Sequence, residues 1–596
     1  MDQTPIINDV RSLTALEMLK LVNPFKARLP TSHPDVVIPL KSVRHLNRDE
    51  PGENNGAAQS GGDEDDGDFE PLLQADGERG IERLRYEIEK DLSVSGGDSS
   101  YDRQSKVINK AVQDIGMGRY QWELFMLCGM GWLADNLWMQ GLALVLPQLS
   151  SEFGVSSSKV KTTTLITFIG LSLGSTFWGV ASDIVGRRPA FNATLLICGV
   201  FGTLVAAGPS WIVTALLFGC TGLGVGGNLP VDGALFLEFI PATSQNLLTL
   251  LSVWWPIGQL LASVMAWALI PPFSCDTALA ACSLKDGVQP CCRSRDNRGW
   301  RYFIAALGLL TLSMFACRFL LFRLFESPKF LLSRGREEEA VSVVQSIAQY
   351  NGVKTWLKAD ILEELAGDAN EDGRPNLTVL EINKRNLSKF SLQKVQSLFK
   401  DWKLGTTTVL LWFIWATIGM GYPLFNAFLP QYLEHVGQGQ EPVSAGVVYR
   451  NFLITSIVGV PGSIIACYTV NMKFIGRKGT MAISTLVSGV FLYLFTLSSA
   501  PSYQTFCSSI EAFFQNIMYG VLYAYTPEVF PAPSRGTGTG IASLLNRIAG
   551  FFAPIVAAKF GDLHPSAPIL AAGACYIAAF VAMCLLPIET RGKQSL

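Results

Sequence analysis

The residues that invite chemistry are charges inside apolar stretches. Asp135 lies in the apolar run 124–147, roughly 16 Å into a helix that begins at Leu124 at 1.5 Å rise per residue. A carboxylate at that depth must face water, hold a partner or take up a proton. It therefore suits proton coupling or recognition of a cationic group, and the competing reading is a structural carboxylate tied to polar neighbours. Arg547, beside Asn546, is the corresponding cation about ten residues into the run 538–560. A guanidinium stays charged, so it must meet an anion or line a wet cavity. It is either the counter-charge of Asp135, a ligand for a substrate carboxylate, or half of an interhelical salt bridge. Glu511 in the run 503–527 is a second protonation candidate and Asp232 reads as structural; both fall nearer the ends of their runs and are expected to be less buried. Trp254, Trp255 and Gln259 in one run, with Tyr422 and Asn426 four apart on one helical face in another, offer rings and amides for a polar solute. Packing is the simpler role for any one of them. Pro423 with Gly419 and Gly421 is expected to interrupt that last helix.

No phosphate-binding loop, zinc helix or nucleophile elbow accompanies these residues, so neither an ATP-driven pump nor an enzyme is indicated. No cofactor or metal is called for; the proton is the coupling ion to be tested. The elements that must position these groups follow from composition. The 596 residues are 49% hydrophobic and only 16% charged, which marks a membrane protein. A net charge of −2, without a basic stripe, excludes a nucleic-acid partner. Crossing a bilayer takes about 20 helical residues, and twelve apolar runs qualify: 124–147, 160–182, 189–208, 211–235, 248–270, 301–325, 405–430, 449–470, 479–499, 503–527, 538–560 and 566–588. The predicted fold is all-α, twelve transmembrane helices in two pseudo-symmetric bundles of six.

Polar segments divide the chain. Residues 1–120, acidic and glycine-rich, read as a disordered cytosolic tail without a cleaved signal. The first bundle occupies 121–326, a cytosolic central loop with short amphipathic helices 327–403, the second bundle 404–590, and a short cytosolic end 591–596. Basic residues after the second and eighth runs, in the central loop and at the C-terminus place both termini inside. The loop 271–300 falls outside despite Lys285, Arg293, Arg295 and Arg298, and its Cys275, Cys282, Cys291 and Cys292 are expected to form two disulfides. Zinc ligation and free thiols are the alternatives. Asp68 to Leu73 has the form of an acidic dileucine sorting signal, and Asn376 and Asn386 begin glycosylation patterns on what should be the cytosolic side.

The two bundles repeat. Gly186-Arg187-Arg188 and Gly476-Arg477-Lys478 are 290 positions apart, as are Glu238 in LEFIP and Glu528 in PEVFP; Pro147 and Pro430 are 283 apart. Parallel halves of this kind enclose a central site and expose it alternately to either side. The gate charges are then Asp183, facing a helix start near Arg535-Gly536, with Arg187 and Arg188 against Glu238 and Arg535 against Glu528. Topogenic charge alone is the simpler alternative. Gly170 and Gly174, like Gly222 and Gly226, are spaced for close helix packing.

GVASDIVGRR (179–188, from Gly179), FESPKFLLSRGREEEA (325–340), RGWRYF (298–303) and YTPEVFPAPSRGTGTG (525–540) resemble signatures of the major facilitator superfamily and its sugar porters. MGRYQWELFMLCGMGWLADNLW (117–138) and TGLGVGG…LFLEFIP (221–241) are similar to the synaptic-vesicle-protein-two-related branch. The resemblance spans about 117–590. It implies a transporter in the lipid bilayer, as a monomer, moving a sugar-like, carboxylate or organic-ion solute with solute contacts on the fifth and seventh helices. Phe218, Gln245-Asn246 and Lys473 depart from charges usual in that group. A proton-coupled symporter or antiporter leads; a passive facilitator and a non-transporting sensor on the same fold are the alternatives. The plasma membrane is the expected location, with a vacuolar or endosomal membrane open.

Overall fold

The computed structural model describes Val37, Glu82, 84–89, 100–241, 244, 247–275, 296–366, 395–396, 398–429, 445–470, 472, 475–530, 535–561, 564 and 566–590. The dileucine pattern, both glycosylation patterns and Cys282, Cys291 and Cys292 lie outside the described residues. Among the described cysteines, eight carry free thiols and Cys275 does not.

Each of the twelve apolar runs is a helix. In the first half these are α2 (Arg119–Phe153), α3 (Thr162–Val185), α4 (Arg187–Val205), α5 (Trp211–Phe239), α6 (Trp254–Leu269) and α7 (Gly299–Ala316), the last continuing as a π-helical turn, Cys317–Leu321. In the second half they are α11 (Trp402–Asn426), α12 (Ala445–Thr469), α13 (Gly476–Phe495), α14 (Pro501–Val529), α15 (Arg535–Gly561) and α16 (Ala567–Leu585). Ten are apolar enough to cross a membrane by composition alone. The two that are not, α2 and α14, carry Asp135 and Glu511 together with Asn136, Gln140, Gln515 and Asn516. Their polarity is concentrated on buried side chains, so they are the helices around which the others must close. Among the described residues the only extended pairing is the single bridge Val37–Thr355.

The halves meet along two seams, α6 against α12 and α3 against α15. Within the first half, α3 and α5 pack at backbone distance: a Cβ on Gly222 would sit 2.5 Å from the Thr167 carbonyl, and those missing from Gly170, Gly174 and Gly226 would likewise strike the partner helix backbone. α11 runs through Pro423 without a break, contrary to the expected interruption. Its glycines serve packing instead, Gly419 against Asn546 of α15 and Gly421 against Tyr576 of α16.

The tail is not featureless as far as residue 120. Ser100–Ile115 forms helix α1, and the central loop supplies α8 (Pro328–Ser333), α9 (Glu337–Asn351) and α10 (Ala359–Ala366). Val107, Ile108, Ala111 and Val112 of α1 join Val344, Ile347 and Leu362 in one apolar cluster that continues into Phe125 and Phe239 of the bundle. The spacing of those four apolar residues in α1 is that of a helix with one buried face, a pattern obscured in sequence by the polar stretch before it. Trp356 Nε1 donates to Asp114 Oδ2 at 2.8 Å, and Asn351 Oδ1 accepts from the Tyr120 backbone at 2.9 Å, joining the module to the start of α2.

The repeat is built into the ends of α4 and α13. Gly186 and Gly476 have φ of 117° and 62°, a region that favours glycine. A Cβ at either would lie 2.8 Å from Glu326 Oε2 or 2.9 Å from Glu589 Oε2. Those carboxylates accept from the first backbone N–H groups of the following helices: Glu326 from Arg187 at 2.8 Å and Arg188 at 3.3 Å, Glu589 from Arg477 at 3.2 Å and Lys478 at 3.1 Å. Orphan donors and the positive end of each helix are satisfied together. Gly186→Ala and Gly476→Ala should each lower stability by about 1–3 kcal/mol, read as a fall in Tm in detergent; an unchanged Tm would contradict this packing. Burial raises the Glu326 carboxyl above the ordinary carboxylate range. A raised folded-state pKa means that stability falls as pH rises through it. Wild type should therefore gain Tm relative to Glu326→Gln as pH is lowered from neutral toward the ordinary glutamate range.

Candidate functional site

A polar layer bridges the halves. Gln259 Nε2 of α6 donates to Asn136 Oδ1 of α2 at 3.2 Å and to the Tyr422 hydroxyl of α11 at 3.1 Å; that hydroxyl donates to the same Asn136 oxygen at 3.3 Å. Gln259 and Tyr422, named above as candidate solute contacts on the fifth and seventh helices, touch each other directly, and Asn136 completes the contact. Asn426 lies one turn from Tyr422 and its amide donates to Gln515 Oε1 at 3.4 Å.

Next to the polar layer lies a cluster of rings. Trp255 stacks on Trp132 at 4.7 Å between centroids and 15° between planes, and meets Tyr523 edge-on at 4.8 Å. Tyr523 also meets Trp415 at 4.8 Å, and Tyr519 meets Tyr422 at 5.7 Å. The two stacked indoles of the first half thus meet Tyr523 of the second, which Trp415 backs. On the other side of the polar layer the seam is tied by Ser263 Oγ to Ser456 Oγ at 2.9 Å and by the Tyr449 hydroxyl donating to the Leu144 carbonyl at 3.0 Å. That side leads to the face opposite the glycine–arginine turns; it is called the far face below, and the other the signature face.

Asp135 adjoins the polar layer but points into its own half. Asn228 Nδ2 of α5 donates to its Oδ1 at 2.9 Å, while Oδ2 is buried without a partner. Arg547 does not form an ion pair with it. The guanidinium donates to the Leu171 carbonyl of α3 at 3.2 Å, across the second seam, and interacts with Asp135 and Tyr523 only through the field. Neighbouring Asn546 Oδ1 is buried without a partner.

Asp232 and Glu511 are more deeply buried than Asp135, at 0% and 1% exposed against 6%, which reverses the expectation from their positions along the helices. Distance from a helix end measures depth in the membrane; burial depends on which neighbours cover the face. Asp232 Oδ2 takes a hydrogen bond from Arg318 Nη2 at 2.8 Å, both side chains fully buried. Arg318 also donates to the Leu127 and Phe191 carbonyls and lies over the Phe191 ring at 3.7 Å. Gly131 is required there, because its Cβ would overlap the Asp232 carboxylate. Arg318 escaped the sequence reading: a cation in the last turn of an apolar run reads as one that reaches for the interface, and only the π-helical turn directs it inward. Asn136, Asn228 and Gln515 were missed because neutral amides have no charge to mark them, although Asn136 adjoins Asp135; the four-residue spacing of Tyr519 and Tyr523 was the available signal for those rings.

The gate charges close each half on itself. Arg187 pairs with Asp183 at 2.8 Å and with Glu238 at 3.2 Å, whereas Arg188 contributes its backbone to Glu326 and not its side chain to Glu238. Asp183 thus meets an arginine of its own half; the Arg535 side chain, at the helix start expected to face it, lies outside the described positions. In the second half Glu528 pairs with Arg477; the side chain of Arg535, its expected partner, lies outside the described positions. The pairs 187–238 and 477–528 are the same contact 290 residues apart, so the repeat located the partners even where the pairing scheme named others. Removing one member of a buried ion pair costs about 3–5 kcal/mol. Asp232→Asn and Arg318→Met should each lower Tm accordingly, while the double variant should recover part of the loss; equal Tm values in wild type and single variants would contradict the assigned pair.

Similarity to known proteins agrees with this architecture. The profile of the "Sugar (and other) transporter" family matches residues 117–595. An MFS siderochrome iron transporter of Ceriporiopsis subvermispora is 42% identical over 502 residues, covering 84% of this chain and 93% of that one. An uncharacterized MFS-type transporter of Schizosaccharomyces pombe is 40% identical over 515 residues, covering 83% and 90%, and a synaptic vesicle 2-related protein of Xenopus laevis is 28% identical over 505, covering 82% of each. Among solved structures, the proton:xylose symporter XylE superposes with a TM-score of 0.57 at 17% identity, over 80% of this chain and 98% of that one, which speaks to the fold. The chain is an integral multi-pass membrane transporter, not an enzyme, and belongs to the sugar-porter-like part of the major facilitator superfamily, alongside its synaptic vesicle 2-related branch.

Proposed function

We propose that this chain is a proton-coupled secondary transporter of a small polar or ionic organic solute, working by alternating access at the seam between α2, α6, α11 and α14. The observation that carries the reading is the Asn136–Gln259–Tyr422 layer. Three uncharged polar groups from both halves satisfy one another, so a solute with hydroxyl, amide or carboxylate groups can replace those bonds one for one as the halves part. The adjacent rings supply flat apolar contact. A carboxylate buried with one unpartnered oxygen is costly when ionised. Asp135 is therefore the coupling residue in this reading: neutral when protonated, and poised next to Asn136 so that loss of the proton is felt in the layer that holds the solute. Arg547, held by a backbone carbonyl across the second seam, supplies the counter-field and a site for an anionic group.

Sugar-like compounds, carboxylates and organic ions remain the candidate solutes. The relatives named for a siderochrome, for xylose and for organic cations and carnitine differ in cargo. In this reading the signature face and both termini are cytosolic, which the basic turns at that face support, and the plasma membrane is the site of action. The loop bearing Cys275 is then extracellular, where its cysteines would pair.

In proteoliposomes, Asp135→Asn should lose solute accumulation driven by an imposed pH gradient, by at least about tenfold for a general loss of proton transfer, while counterflow of the same solute persists. Gradient-driven uptake equal to wild type would sink the coupling role of Asp135.

A further inference from the structure

A second buried acid lies in the half that the coupling reading leaves without one. Glu511 is 1% exposed on α14, which packs on α12 and α13, while side chains of α11 and α16 reach toward it. Its Oε1 accepts from Gln515 Nε2 at 2.6 Å; its Oε2 is buried without a partner. Asp232 has the Arg318 guanidinium and Asp135 has the field of Arg547, but among the described residues no cation compensates Glu511. The titratable groups that face it are phenols: Tyr422 from α11, Tyr576 from α16 and Tyr519 on its own helix. Ser488 of α13 bonds the Glu511 backbone carbonyl, and α12 contributes the Thr455 hydroxyl through Ser508. Arg547 of α15 acts on Tyr523 instead.

The surroundings of Glu511 are not a sealed apolar core. Gln504, Ser508, Glu511 and Gln515 follow a 4-3-4 spacing, which places all four on one face of α14, and all four are buried. At the far-face end of this stripe is a small cavity of about 10 Å³, on the scale of one water molecule, lined by Asn451, Thr455, Gln504, Thr505 and Ser508 among others. Gln504 Nε2 has no partner. At the other end, Gln515 Nε2 also donates to the Tyr576 hydroxyl at 2.7 Å, and Gln515 Oε1 accepts from Asn426 at 3.4 Å, one turn from Tyr422. A stripe of polar side chains therefore runs from a far-face cavity of the size of one water, past a carboxylate with a free oxygen, to the layer that joins the halves.

We propose that Glu511 is a second proton-binding site, loaded from the far face through the Gln504–Ser508 cavity, whose occupancy is transmitted to the Tyr422 layer by Gln515 and Asn426. The step is a simple transfer: a hydrated proton in the cavity gives its proton to Glu511 Oε2 and leaves water, and the reverse step returns it. The neutral carboxyl keeps the Gln515 hydrogen bond at Oε1 and fits the apolar surroundings. The ionised one draws the Gln515 amide more strongly, away from Tyr576 and Asn426, and so loosens the layer.

The proposal deepens the proton-coupled reading but can fail separately from it, because its test needs no solute. Infrared difference spectroscopy of the reconstituted full chain, stepped between about pH 5 and 9 to cover the range of buried carboxyls, reads the C=O band of protonated acids directly. Asp135→Asn should retain a titrating buried carboxyl band that disappears in Asp135→Asn/Glu511→Gln and shifts in frequency in Asp135→Asn/Glu511→Asp. Gln504→Leu/Ser508→Ala should slow hydrogen–deuterium exchange of that band severalfold when deuterated buffer is supplied from the far face, and leave it unchanged from the signature face. Identical pH-difference spectra for Asp135→Asn and either double variant would overturn the proposal, as would exchange unaffected by closing the cavity. Loss of pH-driven uptake in Asp135→Asn with no Glu511 band would leave the first reading standing and remove this one.

Discussion

The constraint on which the structure depends is that a polar group inside the lipid slab must find its partner within the protein. The twelve helices satisfy their own backbones, so the requirement falls on side chains, and the halves have met it differently. In the first half Asp232 and Arg318 neutralise each other in a site with no exposed surface. This salt bridge joins α5 to the end of α7 and, through backbone carbonyls, to α2 and α4, so four of the six helices of that bundle are fixed by one guanidinium. A pair of this kind is weak evidence for stability in itself but strongly penalises any movement that separates it. It makes the first half a rigid body. The second half holds together inside through hydroxyls, amides and Glu511, with its ion pair, Arg477–Glu528, at the signature turn.

Motion is then confined to the place where partners are exchangeable hydrogen bonds, those of Lys161 and Arg547 running to backbone carbonyls of the other half. The seam is closed by hydrogen bonds among Asn136, Gln259 and Tyr422, by Ser263 with Ser456, and by aromatic contacts. Each such bond is worth on the order of 1 kcal/mol net, and each can be exchanged for water or solute. The ion pairs of the signature turns, Arg187–Glu238 and Arg477–Glu528, lie within a half. They preserve the shape of each bundle end. Strong interactions inside halves and weak ones between them are what rigid-body rocking requires.

The architecture was legible in the sequence because lipid imposes length and hydropathy on every spanning element, and because the duplication left the same turn and the same glutamate 290 residues apart. The site was legible only where a charge stood out. Asp135, Glu511 and the turn arginines announce themselves by cost; Gln259, Tyr422 and Asn426 came forward as a set on two helices. What sequence did not yield depends on rotation about helix axes and on local geometry. Arg318 turns inward on a π-helical turn, Asp135 faces Asn228 and not Arg547, and Glu528 selects Arg477. Helix α1 was hidden because an amphipathic segment after a long acidic stretch shares the composition of its surroundings until the central-loop helices provide a face to cover it.

The central claim, that two rigid halves pivot about the Asn136–Gln259–Tyr422 layer, is tested most directly by distances measured across both ends of the seam in one preparation. Spin labels at Ser210 and Ser502 report the far face and labels at Glu338 and Met472 the signature face, all exposed positions, on a background free of native exposed thiols and in lipid nanodiscs. Double electron–electron resonance across a pH series should show the two distances changing in opposite directions, with label pairs placed within a single half staying fixed. Distances at both ends that remain constant, or that lengthen together with those inside a half, would contradict the account.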